Sequence, residues 1–563
     1  MSLKPLLALA LAILLPACAA TPPASLADAG GVQRERPNII LITAEDLGPR
    51  FGFMGDEVAV TPHLDAFARE SVLFTRAFTT AGVCAPSRSA LITGVQQQTL
   101  GTMHMRTGSY GLHGMSEGAP YEAVPPPFVK AFPELLRRAG YYTVNDQKTD
   151  YQFGDPFTVW DQSRDKANWS ARAEGTPFFA MINFEVTHEG RTWPPDTDPA
   201  IHPAVEGRAR LNAGIDAEKN FPLTDPAAVR IPAYWPDTPV VRANLARFYD
   251  NIRLMDQQVG ALLDRLKAEG RFEDSIIVFT TDHGDGLLRH KRTIFESGTH
   301  VPLLVRFPDG YGAGTRRDDL ASFIDLAPTI LDWAGADAPD WIQGRNLFGD
   351  PAPEAVFMGG DRFDEIPQRF RGVREERWHY IHYFGEQAVI PSLGYQNVNP
   401  IMREMRRLEA EGALTPLQAS DLDAPAPRAY LFDTANDPDE VVNLAGDPRY
   451  AAIEARLSAR IDNWIEQSGD LGRLPESELR EARWPGGGQP KTAAPSACRT
   501  EEGRIRLASA TRGASIGWRN TEGDWLAYSA PLPPRETTAK AIRYGYAESA
   551  AVEVDPAVLS ACN

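Results

Sequence analysis

Two stretches of this chain carry one pattern. "NIILITAEDLG" begins at Asn38 and runs through Ile39, Ile40, Leu41 and Ile42 to Glu45 and Asp46. "SIIVFTTDHGDG" begins at Ser275 and ends its apolar run on Asp282 and His283. Apolar runs without polar alternation read as strands buried on both faces. A third, "PFFAMINFEVTH", ends at His188. Helical patterns stand between them, such as "NLARFYDNIRLMDQQVGALLDRLKAEG" with its terminal Gly270. Strands of this kind alternating with helices argue an α/β fold with a largely parallel central sheet. Ligands of such sheets bind beyond the carboxyl ends of the strands. Three strand ends bearing acids and histidines at that edge make a constellation rather than a coincidence.

The chain has 563 residues, enough for more than one domain. The α/β core is expected over 36–350. From about Phe357 the texture changes to "FRGVREERWHYIHYF" and "RAYLFDTANDPDEVVNLAG", short strands closed by a helix, which suits a smaller α+β subdomain over 351–475. Residues 476–496, with "WPGGGQPKTAAPSA", read as a linker. The last segment, 497–563, alternates short runs with turn residues and reads as a small β-sandwich, with Trp518 and Trp525 as core. The 57 Lys and Arg against 75 Asp and Glu give a net charge of −18, which argues against nucleic acid as a partner. An anionic small substrate stays open, because screening confines a distant field to about 8–10 Å.

Residues 1–18 read as a targeting segment. Lys4 precedes "PLLALALAILLPACAA", too short for a membrane span. "LPAC" at Leu15–Cys18 resembles a lipobox, with Cys18 as the lipidated residue, although Pro16 is unusual there. Residues 19–35 read as a tether. The mature protein is expected to be exported, to the periplasm or to the outer membrane as a lipoprotein, and otherwise by ordinary secretion. Its only tie to the membrane is the lipid. Export favours disulfides. Cys498 and Cys562 bracket the last segment and are natural partners. Cys84 is left over, either reactive or a small buried hydrophobe.

Its neighbours favour the first. "CAPSRSALITG", Cys84–Gly94, matches the signature of the type I sulfatases of the alkaline phosphatase superfamily, and the resemblance runs in order from about Pro37 to Ser468. It implies that Cys84 is oxidised to formylglycine by a formylglycine-generating enzyme that reads Pro86 and Arg88. Sulfate-ester cleavage needs an oxygen nucleophile, cations over the nonbridging oxygens and an acid for the leaving group. A hydrated aldehyde at a helix start supplies the first; its second hydroxyl can then expel sulfate from the sulfated hemiacetal.

The resemblance further implies that Glu45, Asp46, Asp282 and His283 hold a divalent cation together with the modified Cys84. Carboxylate-rich ligation suits Ca²⁺, with Mg²⁺ second. Two positions depart from the family pattern: Glu45 stands where Asp is usual, and His283 where Asn is usual. Arg88 falls on the nucleophile's face of the helix. Lys148 and Lys291 match sulfate-binding lysines, and His188 the general acid. Asp150 stands where the family has histidine. His104, Arg106, Asp150, His300, Asp361, Arg362 and Asp364 are candidate substrate contacts; for each, a plain ion pair is the competing account. The expected substrate is a sulfated carbohydrate, of glycosaminoglycan type or containing N-sulfoglucosamine. A phosphate or phosphonate monoester hydrolase of the same superfamily is the first alternative. A catalytically inactive surface glycan-binding protein is the second, with Asp150 its best support.

Overall fold

The computed structural model describes residues 36–107, 120–163, 168–364, 366–422, 425–520 and 523–562. The targeting segment, the tether and Cys18 lie outside the described residues. Strands β1 (Asn38–Ala44), β2 (Val72–Phe78), β3 (Tyr142–Asp146), β4 (Gln162–Ser163), β5 (Phe178–Phe184), β6 (Ser275–Thr281), β7 (His300–Arg306) and β8 (Arg316–Ser322) form one sheet in the order β4-β3-β5-β1-β6-β7-β2-β8. Neighbours run parallel except at β7, which is antiparallel to β6 and β2.

Every residue of β1 and β6 is buried, as their unbroken apolar runs require. Register then builds the site. Ala44 lies opposite Phe184 on one side and Thr281 on the other. The three strands therefore end at one level, and the residues that follow emerge together. β3 stops at Asp146, opposite Ile182, which brings Lys148 to the same edge. The helix Pro239–Ala268 shows why the crossovers form where they do. Thr238 caps its start by accepting from Val241 N, Pro239 occupies its first position, and Leu245, Phe248, Ile252, Met255, Val259, Leu263 and Leu266 line its buried face.

A second sheet, β9 (Val356–Phe363), β10 (Ile366–Arg374), β11 (Trp378–Tyr383) and β12 (Ala429–Asp433), is antiparallel throughout. The helix Ala451–Gln467 packs on it through Leu457, Ile461, Trp464 and Ile465. The segment expected to be a linker, 476–496, instead begins with the helix Glu476–Arg483. Leu479 is buried there, and Glu476 is paired with Arg362, so its charge-rich sequence docks rather than spans.

The C-terminal residues form two small sheets. One pairs β13 (Ser496–Arg499) with β14 (Ile505–Ala508). The other orders β15 (Ser515–Arg519), β16 (Leu526–Ala527), β17 (Thr537–Ile542) and β18 (Val552–Val554) as β16-β15-β17-β18. Ile505, Leu507, Ile516, Ala539, Ala541 and Val554 make their shared core. Cys498 and Cys562 form a disulfide 64 residues apart. This module belongs to the same compact unit as the main sheet. It docks on the helix Phe132–Arg138 and the segment beyond. Trp518 and Trp525 are half-buried; Trp525 meets Phe157 of that segment edge-on. Among the described residues no helix is long and apolar enough to cross a membrane.

Candidate active site

Cys84 opens the helix Cys84–Thr93, after an extended Val83 and before the left-handed Gly94 that ends it. The first N–H groups of a helix have no acceptor within it and favour an anion. Gly82 lets another loop lie against this turn: a Cβ there would stand 1.9 Å from the Thr293 carbonyl oxygen. Arg292 N instead donates to Gly82 O at 2.7 Å. That contact carries Lys291 to the nucleophile. Around the Cys84 sulfur stand His283 Nε2 at 3.4 Å, Lys291 Nζ at 3.5 Å, Asp46 Oδ1 at 3.7 Å and Glu45 Oε2 at 4.0 Å. The sulfur marks where the aldehyde oxygen of formylglycine would be.

Asp46 has a φ of 51°, a backbone state that side-chain-bearing residues avoid and that clusters at functional sites. It lets Asp46 N donate to Asp282 Oδ1 at 2.9 Å while the Asp46 carboxylate meets Lys291 Nζ at 2.6 Å and His283 Nε2 at 2.9 Å. Asp46, Cys84, Asp282 and His283 offer ligand atoms within 4.8 Å of one another, as do Glu45, Asp46, Cys84 and His188. Burial raises the Glu45 carboxyl to about 8, and Asp282 adds to the rise. Burial opposes the charge on Asp46 too, but Lys291 beside it holds that carboxyl well below the usual range. Burial likewise opposes a charged His283, yet Asp282 and Asp46 outweigh it and keep the imidazole well above its ordinary value. Asp282 Oδ2 is buried with no hydrogen-bond partner. Three carboxylates crowded in one buried cluster exceed what the chain's own donors satisfy. An oxygen-rich set of this kind fits a divalent cation. The His283 Nδ1 lies 2.9 Å from Gly284 O; donating there turns Nε2 toward the cluster.

Arg88 ties the nucleophile's helix to the loop after β3. Its Nη1 lies 3.4 Å from Glu45 Oε1, its Nη2 donates to Asn183 Oδ1 and to Lys148 O, and its Nε donates to Thr149 O. Lys148 Nζ reaches Glu45 Oε2 at 2.5 Å. Burial works against both ammonium groups, but Cys84 and Glu45 beside Lys148, and Asp46 beside Lys291, keep them above the usual lysine range. Gly190 N donates to His188 Nδ1 at 3.2 Å. In the neutral ring the proton is therefore on Nε2, and burial holds this histidine well below its ordinary pKa.

The substrate-contact candidates divide. Arg106 and Asp150, both with positive φ, stand 3.8 Å apart, and Asp150 is 3.9 Å from Lys148 Nζ. They join the reactive group. The others are committed to partners that burial demands. His104 Nδ1 accepts from Arg362 N. Arg362 forks onto Glu476 at 2.5 and 2.9 Å. Asp364 pairs with Arg292, which also holds Glu189 at 2.7 and 2.8 Å. Asp361 pairs with Arg371, itself bound to Asp470. His300 Nε2 lies 2.8 Å from Thr75 O, its ring stacked on Phe78. These five are held by partners within the protein, although His104 Nε2 and Asp361 Oδ2 have no hydrogen-bond partner. Two further residues serve the site. Asn183, a polar residue closing the apolar run of β5, accepts from Arg88. Glu189, next to His188, donates its N–H to Asp46 Oδ2 at 2.6 Å. Asn183 was visible as a break in an apolar run; Glu189 had no such signal.

The sulfatase family model matches residues 37–171 and 158–336, and the model for the C-terminal part of N-sulphoglucosamine sulphohydrolase matches 284–397. An ulvan-active sulfatase of Formosa agariphila is 37% identical over 92% of this chain and 91% of its own. The N-sulphoglucosamine sulphohydrolase of Homo sapiens is 29% identical over 78% of this chain and 92% of its own. In three dimensions the chain is similar to a 2-O GAG sulfatase, with a TM-score of 0.55 at 19% identity over 78% of this chain and 94% of that one. It is similar also to the phosphonate monoester hydrolase of Agrobacterium radiobacter, with a TM-score of 0.52 at 20% identity over 77% and 96%. Those two share the fold. The sequence matches go further, and the chain belongs to the sulfatase family.

Proposed function

We propose that this protein is an exported sulfatase that removes sulfate from a sulfated polysaccharide, using formylglycine made from Cys84 and a bound Ca²⁺. The observation that carries the reading is the Cys84 sulfur at a buried helix start, with His283, Lys291, Asp46 and Glu45 within 3.4–4.0 Å. The family implies formylglycine and a divalent metal. Three carboxylates with one imidazole favour Ca²⁺ over Mg²⁺, because Ca²⁺ accepts more oxygen ligands in looser geometry. Glu45, Asp46, Asp282 and His283 would hold the ion, which when bound offsets charge on the sulfate's nonbridging oxygens.

The chain's own residues supply the rest. Arg88 fixes the helix that presents residue 84. The Lys148 and Lys291 ammonium groups, charged at any working pH, bind sulfate oxygens. The His188 Nε2–H would donate a hydrogen bond to the leaving oxygen, and once the ring takes up a proton beside the bound anion it would protonate that oxygen, the step a poor alkoxide leaving group needs. The relative with identity over nearly the whole chain is described as ulvan-active, which favours an ulvan-type sulfated polysaccharide over N-sulfoglucosamine. The "LPAC" run supports lipidation at Cys18 and a periplasmic or outer-membrane location. The run Cys84–Arg88 supports a formylglycine-generating enzyme as a maturation partner.

The test is a mass measurement of the Cys84 peptide from the native host, joined to release assays on matched aryl sulfate and phosphate esters and on sulfated saccharides. Loss of sulfur in favour of an aldehyde oxygen, with sulfate released faster than phosphate, is expected. An unmodified thiol in an active preparation, or phosphate released faster by a large factor, overturns the reading. Metal analysis of the same sample is expected to give calcium.

A further inference from the structure

The Cys84 cluster accounts for one sulfate group. Beside His188 lie two cations that it does not use. Arg191 ends the short turn Glu189–Arg191 that His188 begins. Its backbone is fixed, since Arg191 N donates to His188 O at 2.7 Å and Asn251 Nδ2 donates to Arg191 O at 3.2 Å. Its side chain is only loosely matched: the residue is 9% exposed, Nη1 has no hydrogen-bond partner, and its ion pair with Glu185 spans 3.8 Å from Nη2.

Arg208 comes from the helix Ala204–Glu218. Asn212 pins that helix to the same turn by donating to Gly190 O at 2.9 Å and Trp193 O at 2.8 Å. Arg208 is one helical turn before Asn212 and shares its face. Its guanidinium comes down on Gly190: a Cβ there would lie 3.3 Å from Arg208 Nε and 2.5 Å from Tyr395 Oη. Glycine is what allows the approach. Among the described residues Arg208 pairs with no carboxylate. The two guanidinium groups are close enough that Arg208, after burial, is the next cause lowering the Arg191 pKa. Three buried arginines of this neighbourhood are closely paired: Arg88 with Glu45, Arg292 with Glu189 and Asp364, Arg362 with Glu476. In a chain with 75 acids to 57 bases, a buried arginine held by one loose ion pair beside a half-buried arginine with none stands out, because a buried cation with little counter-charge is costly.

We infer that Arg191 and Arg208 form a second anion subsite on the leaving-group side of His188, for a carboxylate or a further sulfate on the saccharide whose sulfate is removed. This rests on the sulfatase reading of the site. The planar fork of arginine suits either group by paired N–H donors. The subsite would make the enzyme selective for sugars with two anionic groups over sugars with one.

The test compares three substrates within each protein sample: a singly charged aryl sulfate, a sulfated disaccharide containing a uronate, and a disulfated saccharide. The measured quantity is the ratio of kcat/KM for each two-anion substrate to that for the aryl sulfate. Being a ratio, it does not depend on the folded fraction. R208Q and R191Q are each expected to lower it about tenfold, and R208K to restore part of it; tenfold corresponds to about 1.4 kcal/mol. A fall with the uronate alone assigns a carboxylate, and a fall with the disulfated sugar alone assigns a sulfate. Ratios unchanged in both variants overturn the subsite while leaving the sulfatase reading intact. A parent enzyme that releases sulfate from none of the three overturns the reading beneath it.

Discussion

Glu45 and Glu134 are both buried glutamates, and their carboxyl groups are driven in opposite directions. Glu45, at 1% exposure, is raised to about 8 by burial and by Asp282. Glu134, at 0%, overcomes the same burial and is lowered to about 2 by Arg138 and Lys130, helped by hydroxyl donors. Ser515 and Thr158 donate to Glu134 at 2.6 Å, Tyr544 donates at 2.8 Å, and Arg138 donates at 2.5 Å. No second carboxylate crowds it. Glu45 shares its cluster with Asp46 and Asp282, and the cations there answer three acids rather than one. A buried carboxylate that the chain satisfies is architecture; one held beside others against repulsion is a place prepared for a cation. Glu134 joins the C-terminal module to the main fold, and Glu45 stands at the reactive edge.

The largest expected effect comes from lightening the crowded cluster. Glu45→Gln keeps the side chain's size and removes one of the cluster's three carboxyl groups. Bound metal should fall in proportion to affinity, and kcat/KM should drop by roughly 10²-fold or more. Metal-stripped protein should melt no lower than the metal-stripped parent, because burial and Asp282 raise the Glu45 carboxyl to about 8, and a carboxyl raised on folding subtracts stability above its ordinary value. A fall in that apparent Tm would mean that Glu45 is structural like Glu134, and the contrast would collapse.

Glu134→Gln should do the reverse. The shift from 4.5 to about 2 corresponds to about 3 kcal/mol, an upper figure because Arg138 is 32% exposed on its side chain. The folded pKa is below the unfolded one, so this stability is complete above pH 4.5 and is lost as pH falls from there through 2. The variant should lose up to that amount at neutral pH, and its denaturation midpoint should depend less on pH between 4.5 and 2. Metal content should not change. Urea unfolding at several pH values checks both statements.

The reactive edge was legible because local pattern and topology agree there. Unbroken apolar runs specify buried parallel strands, parallel register levels their ends, and the acids directly after them land together. Glu134 was not legible as a buried residue. Nothing within its helix, "FPELLRR", points to Ser515 and Tyr544, some 380 and 410 residues on, which close over it. Glu476 was hidden for a related reason: the Pro- and Gly-rich run after it marks a linker, and only Arg362 shows that the helix before that run docks. Asp361, Arg362 and Asp364 carried charges that suit a sugar, and long-range partners took them up. Arg208 gave no sign in the sequence, since only the hold of Asn212 on the His188 turn brings it near.

The smallest expected effect asks whether the two regions are independent at all. Phe153 stands three residues past Asp150 and five past Lys148. Its ring stacks on Tyr544, with centroids 5.0 Å apart and planes at 10°, and Gly545 N donates to Phe153 O at 3.1 Å. From the residue before Lys148 to the one before Phe153, Gln147, Asp150 and Gln152 all have positive φ, a costly run for residues with side chains, and one that surrounding contacts must enforce. Removing the ring in Tyr544→Ala should loosen that loop and displace Lys148 and Asp150, lowering kcat/KM about threefold to tenfold. Tyr544→Phe keeps the stack and loses the hydroxyl that donates to Glu134 and accepts from Ala131 N, so it should cost about 1–3 kcal/mol of stability and restore the activity. Kinetics of the two variants beside their unfolding curves separate the cases. If Tyr544→Ala is less stable but fully active when folded, the module only holds itself on, and Glu134 and Glu45 belong to regions that do not speak to each other. If activity falls with the ring and returns with phenylalanine, the C-terminal module is what keeps the strained loop in its working shape.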